Sequence, residues 1–303
     1  MIVRDKPSAW RLLFLMKGSI VPTILPQVIF IALFSVGVKY VYYAGYLDLS
    51  RLTMAPFAVF GVALSLFLGF RNNAAYERWW EARRHWGQLV YDVRSLARVT
   101  GTLLGEEHPQ RRGLLKDVLA FSHFLRGSLR HKDARQDAER FIGAEASMAA
   151  GATKNPADYM LRQMGQRLGQ LYRDKEVDSI GLQMLDERLT ALSALQAANE
   201  RIATTPLPFA YSLLVHRTAY LYCFLIPFSL ASSVGWFSPF VAALVAYVFF
   251  GLDALSQELE NPFGNEENDL PLDALCRINE VSVAEALNED VPDLLEPVNY
   301  KLN

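Results

Sequence analysis

The sequence predicts an all-α membrane protein, with four membrane-crossing helices per subunit joined to a helical cytosolic region. Three observations carry that prediction. Gly18 to Val38, Leu52 to Phe70 and Thr218 to Leu252 are runs of 21, 19 and 35 residues without a charged side chain. A helix rises about 1.5 Å per residue, so about 20 apolar residues cross a bilayer core. Between the second and third runs, apolar residues recur at helical spacing, and no sustained alternation argues for a sheet.

The first run is too long for a cleavable signal, and no small-x-small site follows it. The second is long enough to cross on its own. The third is too long for one crossing and is broken at Ser232 to Pro239, so it reads as a hairpin. Its first helix is expected to begin upstream, near Pro206. Its second is expected to start with Ser238 as N-cap and Pro239 at the first helical position.

Four crossings place both termini on one side. Arg4, Lys6, Arg11 and Lys17 precede the first span, and the stretch from Arg71 to Pro206 holds 21 basic and 17 acidic residues. The other connections hold almost no charge, with Lys39, Asp48 and Arg51 in one and none in the other. An excess of basic residues on one side marks it as cytoplasmic, so both termini and the long middle region are expected there.

Within the middle region, Arg71 to Thr100 continues the second span without a breaker, and one long helix is expected across both. Further helical patterns cover Gln110 to Arg130, Asp133 to Ser147, Pro156 to Tyr172 and Leu182 to Ile202. Asp253 to Asn303 carries 13 acids against Arg277 and Lys301, and reads as a solvated strap on a basic surface. The expected division is 1–70, 71–205, 206–257 and 258–303.

Composition excludes several functions. The chain has 303 residues, 51% of them apolar, with 30 basic and 32 acidic side chains. A net charge of −2 excludes a generally basic nucleic-acid binder, and the apolar content excludes a disordered chain. Cys223 and Cys276 are too few for a disulfide framework or a four-thiolate zinc site. His85, His108, His123, His131 and His216 show no metal-ligand spacing, and no phosphate loop, dinucleotide turn or nucleophile elbow is present. No enzyme is expected.

The second span stands out. Gly61, Ser65 and Gly69 form a small-residue face on which another helix can approach closely. Beside it, Ala58, Val62, Leu66 and Phe70 form an apolar stripe. The stripe is either generic membrane packing or, if several copies surround an axis, a narrow lumen that gates ions by excluding water. Arg71, Asn72 and Asn73 follow as a polar collar, which either caps the interface or lines a wet vestibule. His216 and Arg217 are expected to be structural partners of an acid such as Asp253 or Glu258, because an ionisable group at membrane depth faces protein or water.

Four motifs in order then resemble the bestrophin family of ion channels: Phe67-Leu68-Gly69-Phe70 before Glu77-Arg78-Trp79-Trp80, Thr205-Pro206-Leu207-Pro208-Phe209-Ala210-Tyr211, and Asn261-Pro262-Phe263-Gly264 with acids after it. The match runs from the Trp10 region to Leu272, and the short tail is similar to the prokaryotic branch. The resemblance implies a homopentamer around one central pore in the cell membrane, the inner membrane of a bacterium, with its neck at Val62, Leu66 and Phe70. It implies passive conduction of small monovalent ions, chloride by resemblance. Eukaryotic members carry an Ile and two Phe at the neck, whereas Val62 and Leu66 depart from that pattern, and bacterial members can favour cations such as sodium.

The resemblance also implies a lower aperture at Ile180, within Val177 to Gly181; otherwise Ile180 is a core residue. In calcium-activated relatives an acidic run follows Asn-Pro-Phe-Gly. Here Glu266 and Asp269 could join backbone oxygens around calcium. Asn265 and Asn268 dilute the run and Glu258 replaces a neutral amide, so a strap without metal, and no cofactor, is expected. The alternative function is a non-conducting membrane scaffold whose helical cytosolic half binds a protein partner.

Overall fold

The computed structural model describes residues 1–4, 8, 10, 11, 14–49 and 52–303; Lys6 and Arg51, which entered the charge pattern, lie outside them. The helices in chain order are α1 (Val21–Tyr43), α2 (Met54–Leu104), α3 (Pro109–Arg130), α4 (Arg135–Ile142), α5 (Ala144–Gly151), α6 (Pro156–Arg173), α7 (Ser179–Thr204), α8 (Phe209–Ser233), α9 (Ser238–Glu260) and α10 (Leu272–Ala286). Among the described residues there is no strand beyond two isolated bridges, Ile2 with Lys301 and Val298 with Lys301. Four helices, α1, α2, α8 and α9, are long and apolar enough to cross a membrane. The chain divides into two compact units, one of Arg4–Trp79 with Pro206–Asn261, the other of Met1–Val3, Trp80–Thr205 and Pro262–Asn303. The division therefore falls at Trp79 rather than Phe70.

In the membrane unit α1, α8 and α9 pack on one another. Ile24, Ile31, Leu64, Leu68, Tyr222, Ile226 and Phe250 interdigitate in its core, with Ala219, Ala242 and Ala246 among them. Small side chains let helix backbones approach where lipid offers no hydrophobic drive. The hairpin differs in detail from its expectation. A 3₁₀ turn, Gly235–Phe237, joins α8 to α9, and Ser238 is the first residue of α9 rather than its N-cap. Its hydroxyl is buried with no partner among the described residues.

The second unit is built on α3, against which α4, α6 and α10 pack. Local chemistry sets its helix starts. His108 accepts from the Gln110 N–H at 3.2 Å, Asn155 from the Asp158 N–H at 3.1 Å, and Asp178 from the Gly181 N–H at 2.7 Å. These side chains satisfy first-turn donors that have no partner within the helix. The single helix expected over Asp133 to Ser147 is two, because Gly143 at φ +81° breaks it.

The acidic tail is more than a solvated strap. Within it, α10 buries Leu272, Leu275, Cys276, Asn279 and Val283. Burial pushes the Cys276 thiol up to about 12. Glu280 bonds His123 at 2.7 Å and Arg277 at 2.7 Å. Burial disfavours its charge, but His123 and the two arginines Arg277 and Arg140 outweigh that and hold the carboxyl below its ordinary value.

A buried charge staples the membrane unit. Arg71 on α2 is 2% exposed and donates to Asp253 on α9. Its second nitrogen lies 3.8 Å from Glu260. The other Asp253 oxygen lies 2.6 Å from His216 Nδ1 on α8 and accepts from Gln257 at 3.2 Å. Three helices are thereby tied through one carboxylate. Removing one partner of a buried pair leaves an uncompensated charge, so Arg71→Ala is expected to cost about 3–5 kcal/mol of stability. Thermal unfolding in detergent, compared with Arg83→Ala, measures it.

Candidate functional site

Helix α2 carries the candidate face. It runs unbroken for 51 residues, so the collar at Arg71 is helix and not a helix end. Its buried positions, Leu64, Leu68, Arg71 and Ala75, recur at helical spacing. On the opposite side Val62, Leu66 and Phe70 are 71%, 57% and 56% exposed. At about 100° per residue, Arg71 stands about 180° around the axis from Val62.

That phase separates the collar. Arg71 faces the interior and is held by Asp253, so it lines no vestibule. This corrects its expected place there; a buried guanidinium with an acid partner does not turn outward. Asn72 bonds backward, donating to the Leu68 carbonyl at 3.0 Å and the Leu252 carbonyl at 3.2 Å, and ties α2 to α9. It too is structural. Asn73 is exposed on the stripe side. Glu77, four residues further, is also exposed and falls on the same side by the 3.6-residue period. Sequence reading overlooked Glu77 as a site residue, although the count from Val62 through Phe70 and Asn73 reaches it.

The small-residue face is shared between two uses. A Cβ at Gly61 would meet the Tyr222 hydroxyl oxygen at 2.5 Å, so this glycine admits α8 within the same chain. A Cβ at Gly69 would meet nothing within 4 Å, which leaves it open. Ser65 donates to its own Val62 carbonyl at 2.8 Å.

His216 finds the acid expected of it, Asp253, whereas Arg217 is exposed and has no described partner. Ile180, in the second unit, is the second residue of α7 and is 68% exposed, so it is not a core residue. In the acidic run Asp269 is 3% exposed, and its carboxylate accepts from the Glu266 N–H at 2.5 Å. That carboxylate closes its own turn, while the Glu266 side chain is exposed. Among the described residues no third acidic, imidazole or thiol group joins them in a metal-holding cluster. The two carboxylates are thus held differently, Asp269 buried against its own turn and Glu266 toward solvent.

Comparison with known proteins places this architecture. Residues 1–285 match the family model described as Bacterial/Fungal Bestrophin protein. The chain is 54% identical over 295 residues to the voltage-dependent anion channel-forming protein mll4386 of Mesorhizobium japonicum, covering 97% of this chain and 95% of that one. It is 39% identical over 299 residues to the voltage-dependent anion channel-forming protein YneE of Escherichia coli K12, with 98% of each covered. A crystal structure of a bacterial bestrophin homologue from Klebsiella pneumoniae superposes with a TM-score of 0.84 at 35% identity, covering 88% of this chain and 99% of that one. With a match across nearly its whole length, four membrane helices and the stripe on α2, the chain belongs to the bestrophin family, a family of membrane channels and not of enzymes.

Proposed function

We propose that copies of this chain assemble as a homopentamer and conduct small monovalent ions passively through a neck lined by Val62, Leu66 and Phe70. The observation that carries the reading is the face of α2 itself: exposed apolar side chains at positions 62, 66 and 70 pass directly into exposed Asn73 and Glu77. Those polar side chains fit the wet mouth below such a constriction. Stacked apolar rings above a wet collar make a constriction that holds back ions by dewetting. Ile180 forms a second, lower aperture, a role that its exposure supports. Both termini lie in the cytoplasm of a bacterial inner-membrane protein, in keeping with the charge pattern.

Two groups on the α2 face pull selectivity in opposite directions. The ring edge of Phe70 is its positive rim and favours a passing anion. The names of the relatives point the same way. Five copies of Glu77 make an acidic ring, which draws cations such as sodium. The acidic strap works without calcium, in keeping with the dilution of its acids by Asn265 and Asn268.

Planar bilayers with asymmetric salt test the reading. Removing about 1 kcal/mol of a dewetting barrier raises flow several-fold, so Leu66→Ala and Phe70→Ala are expected to raise the current by that factor while chelating calcium leaves it unchanged. Currents insensitive to both substitutions contradict the neck. In the same recordings Glu77→Gln shifts the reversal potential toward the chloride equilibrium potential. An unmoved potential removes Glu77 from the pathway.

A further inference from the structure

Three arginines of the second unit form no ion pair with an acid among the described residues. Arg94 and Arg98 on α2 and Arg111 on α3 line one cavity of about 370 Å³, closed on another side by α10. Each is held by neutral acceptors. Arg94 donates from Nε to the Ser282 hydroxyl at 3.0 Å, and Arg98 from Nη2 to the Ser95 hydroxyl at 3.3 Å. Arg111 donates to the backbone carbonyls of Glu106 at 2.9 Å and Ala286 at 2.8 Å. A guanidinium has five N–H donors in a rigid fork, so each of the three keeps donors to spare.

Arg111 is the most demanding. It is 4% exposed, and its Nε is buried with no hydrogen-bond partner among the described residues. Its guanidinium lies over Gly101, where a Cβ would stand 3.4 Å from Nη2 and 3.5 Å from Nε. The end of α10 offers Arg111 about half a negative charge through its last carbonyls. That orients the cation without neutralising it, and a buried cation lacking a counter-ion is costly. Glu106 and Glu285 also line the cavity, yet neither forms an ion pair with the three arginines among the described residues.

We propose that this cavity binds a phosphate-type oxyanion, free or as a phosphomonoester, with Arg94, Arg98 and Arg111 as its ligands. Forked guanidinium donors match the several oxygens of a tetrahedral anion better than a single halide. The site belongs to the cytosolic unit and is independent of the neck residues.

Isothermal titration of the purified full-length protein tests it at low chloride, with inorganic phosphate in one arm and glycerol 3-phosphate in the other. Phosphate binding that Arg94→Gln and Arg98→Gln each weaken at least about tenfold, and that Arg162→Gln leaves unchanged, is the expected result. Binding of glycerol 3-phosphate alone, with the same sensitivity, supports the site and identifies its ligand as esterified. Neither probe binding at millimolar concentration, or affinities equal in the wild type and both exposed-arginine variants, overturns the proposal. Both variants alter exposed side chains, so melting temperatures matching the wild type separate lost binding from lost fold.

Discussion

The ion pair between Arg71 and Asp253 sets the rotation of α2. A guanidinium buried to 2% exposure cannot leave its acid without a large cost, and Asp253 is itself buried and shared with His216. Phe70 is the neighbour of Arg71, about 100° around the helix, and Val62 stands about 180° away. Fixing Arg71 inward therefore fixes Val62, Leu66, Phe70, Asn73 and Glu77 outward. The face proposed to conduct ions is the back of a salt bridge. One charged residue at the end of 19 uncharged ones serves as the register mark of the whole helix.

The membrane architecture was legible because its signal is an absence of charge over lengths that match a bilayer. The continuation of α2 was legible too, since nothing between Arg71 and Thr100 breaks a helix. The stripe was legible from spacing, yet Arg71 was misplaced beside it. Adjacency in sequence is not adjacency in space, since one residue turns a helix by about 100°. An acid such as Asp253 or Glu258 was expected for His216 and Arg217 from chemistry alone, because an ionisable group at that depth needs a partner, and His216 meets Asp253 while Arg217 is exposed. The stronger partner of that same acid came from a helix 182 residues away, a separation no local pattern reports.

The tail shows the opposite failure. Thirteen acids dominated its reading and concealed α10, although Leu272, Leu275, Cys276, Asn279 and Val283 recur at helical spacing. Several of those acids are spent inside the fold, Glu280 on His123, Arg277 and Arg140, Asp273 on Arg126 and Arg130, and Glu289 on Arg112 and Lys116. Net charge of a segment says little about which of its charges meet water. The same point applied in reverse singles out exposed Arg94 and Arg98 and buried Arg111, which form no ion pair among the described residues, whereas Arg126, Arg130 and Arg167 of the same unit each meet an acid.

The orientation of α2 is the claim on which the functional reading stands, and cysteine accessibility measures it directly. The two native cysteines are buried, so single introduced cysteines report against a silent background. With a water-soluble charged thiol reagent added during bilayer recording, Val62→Cys, Phe70→Cys and Asn73→Cys are expected to lose or alter their current, while Leu68→Cys and Ala75→Cys do not respond. Block at Leu68 and Ala75 with none at Val62, Phe70 and Asn73 would contradict the account, because the pore would then lie on the face that Arg71 holds shut.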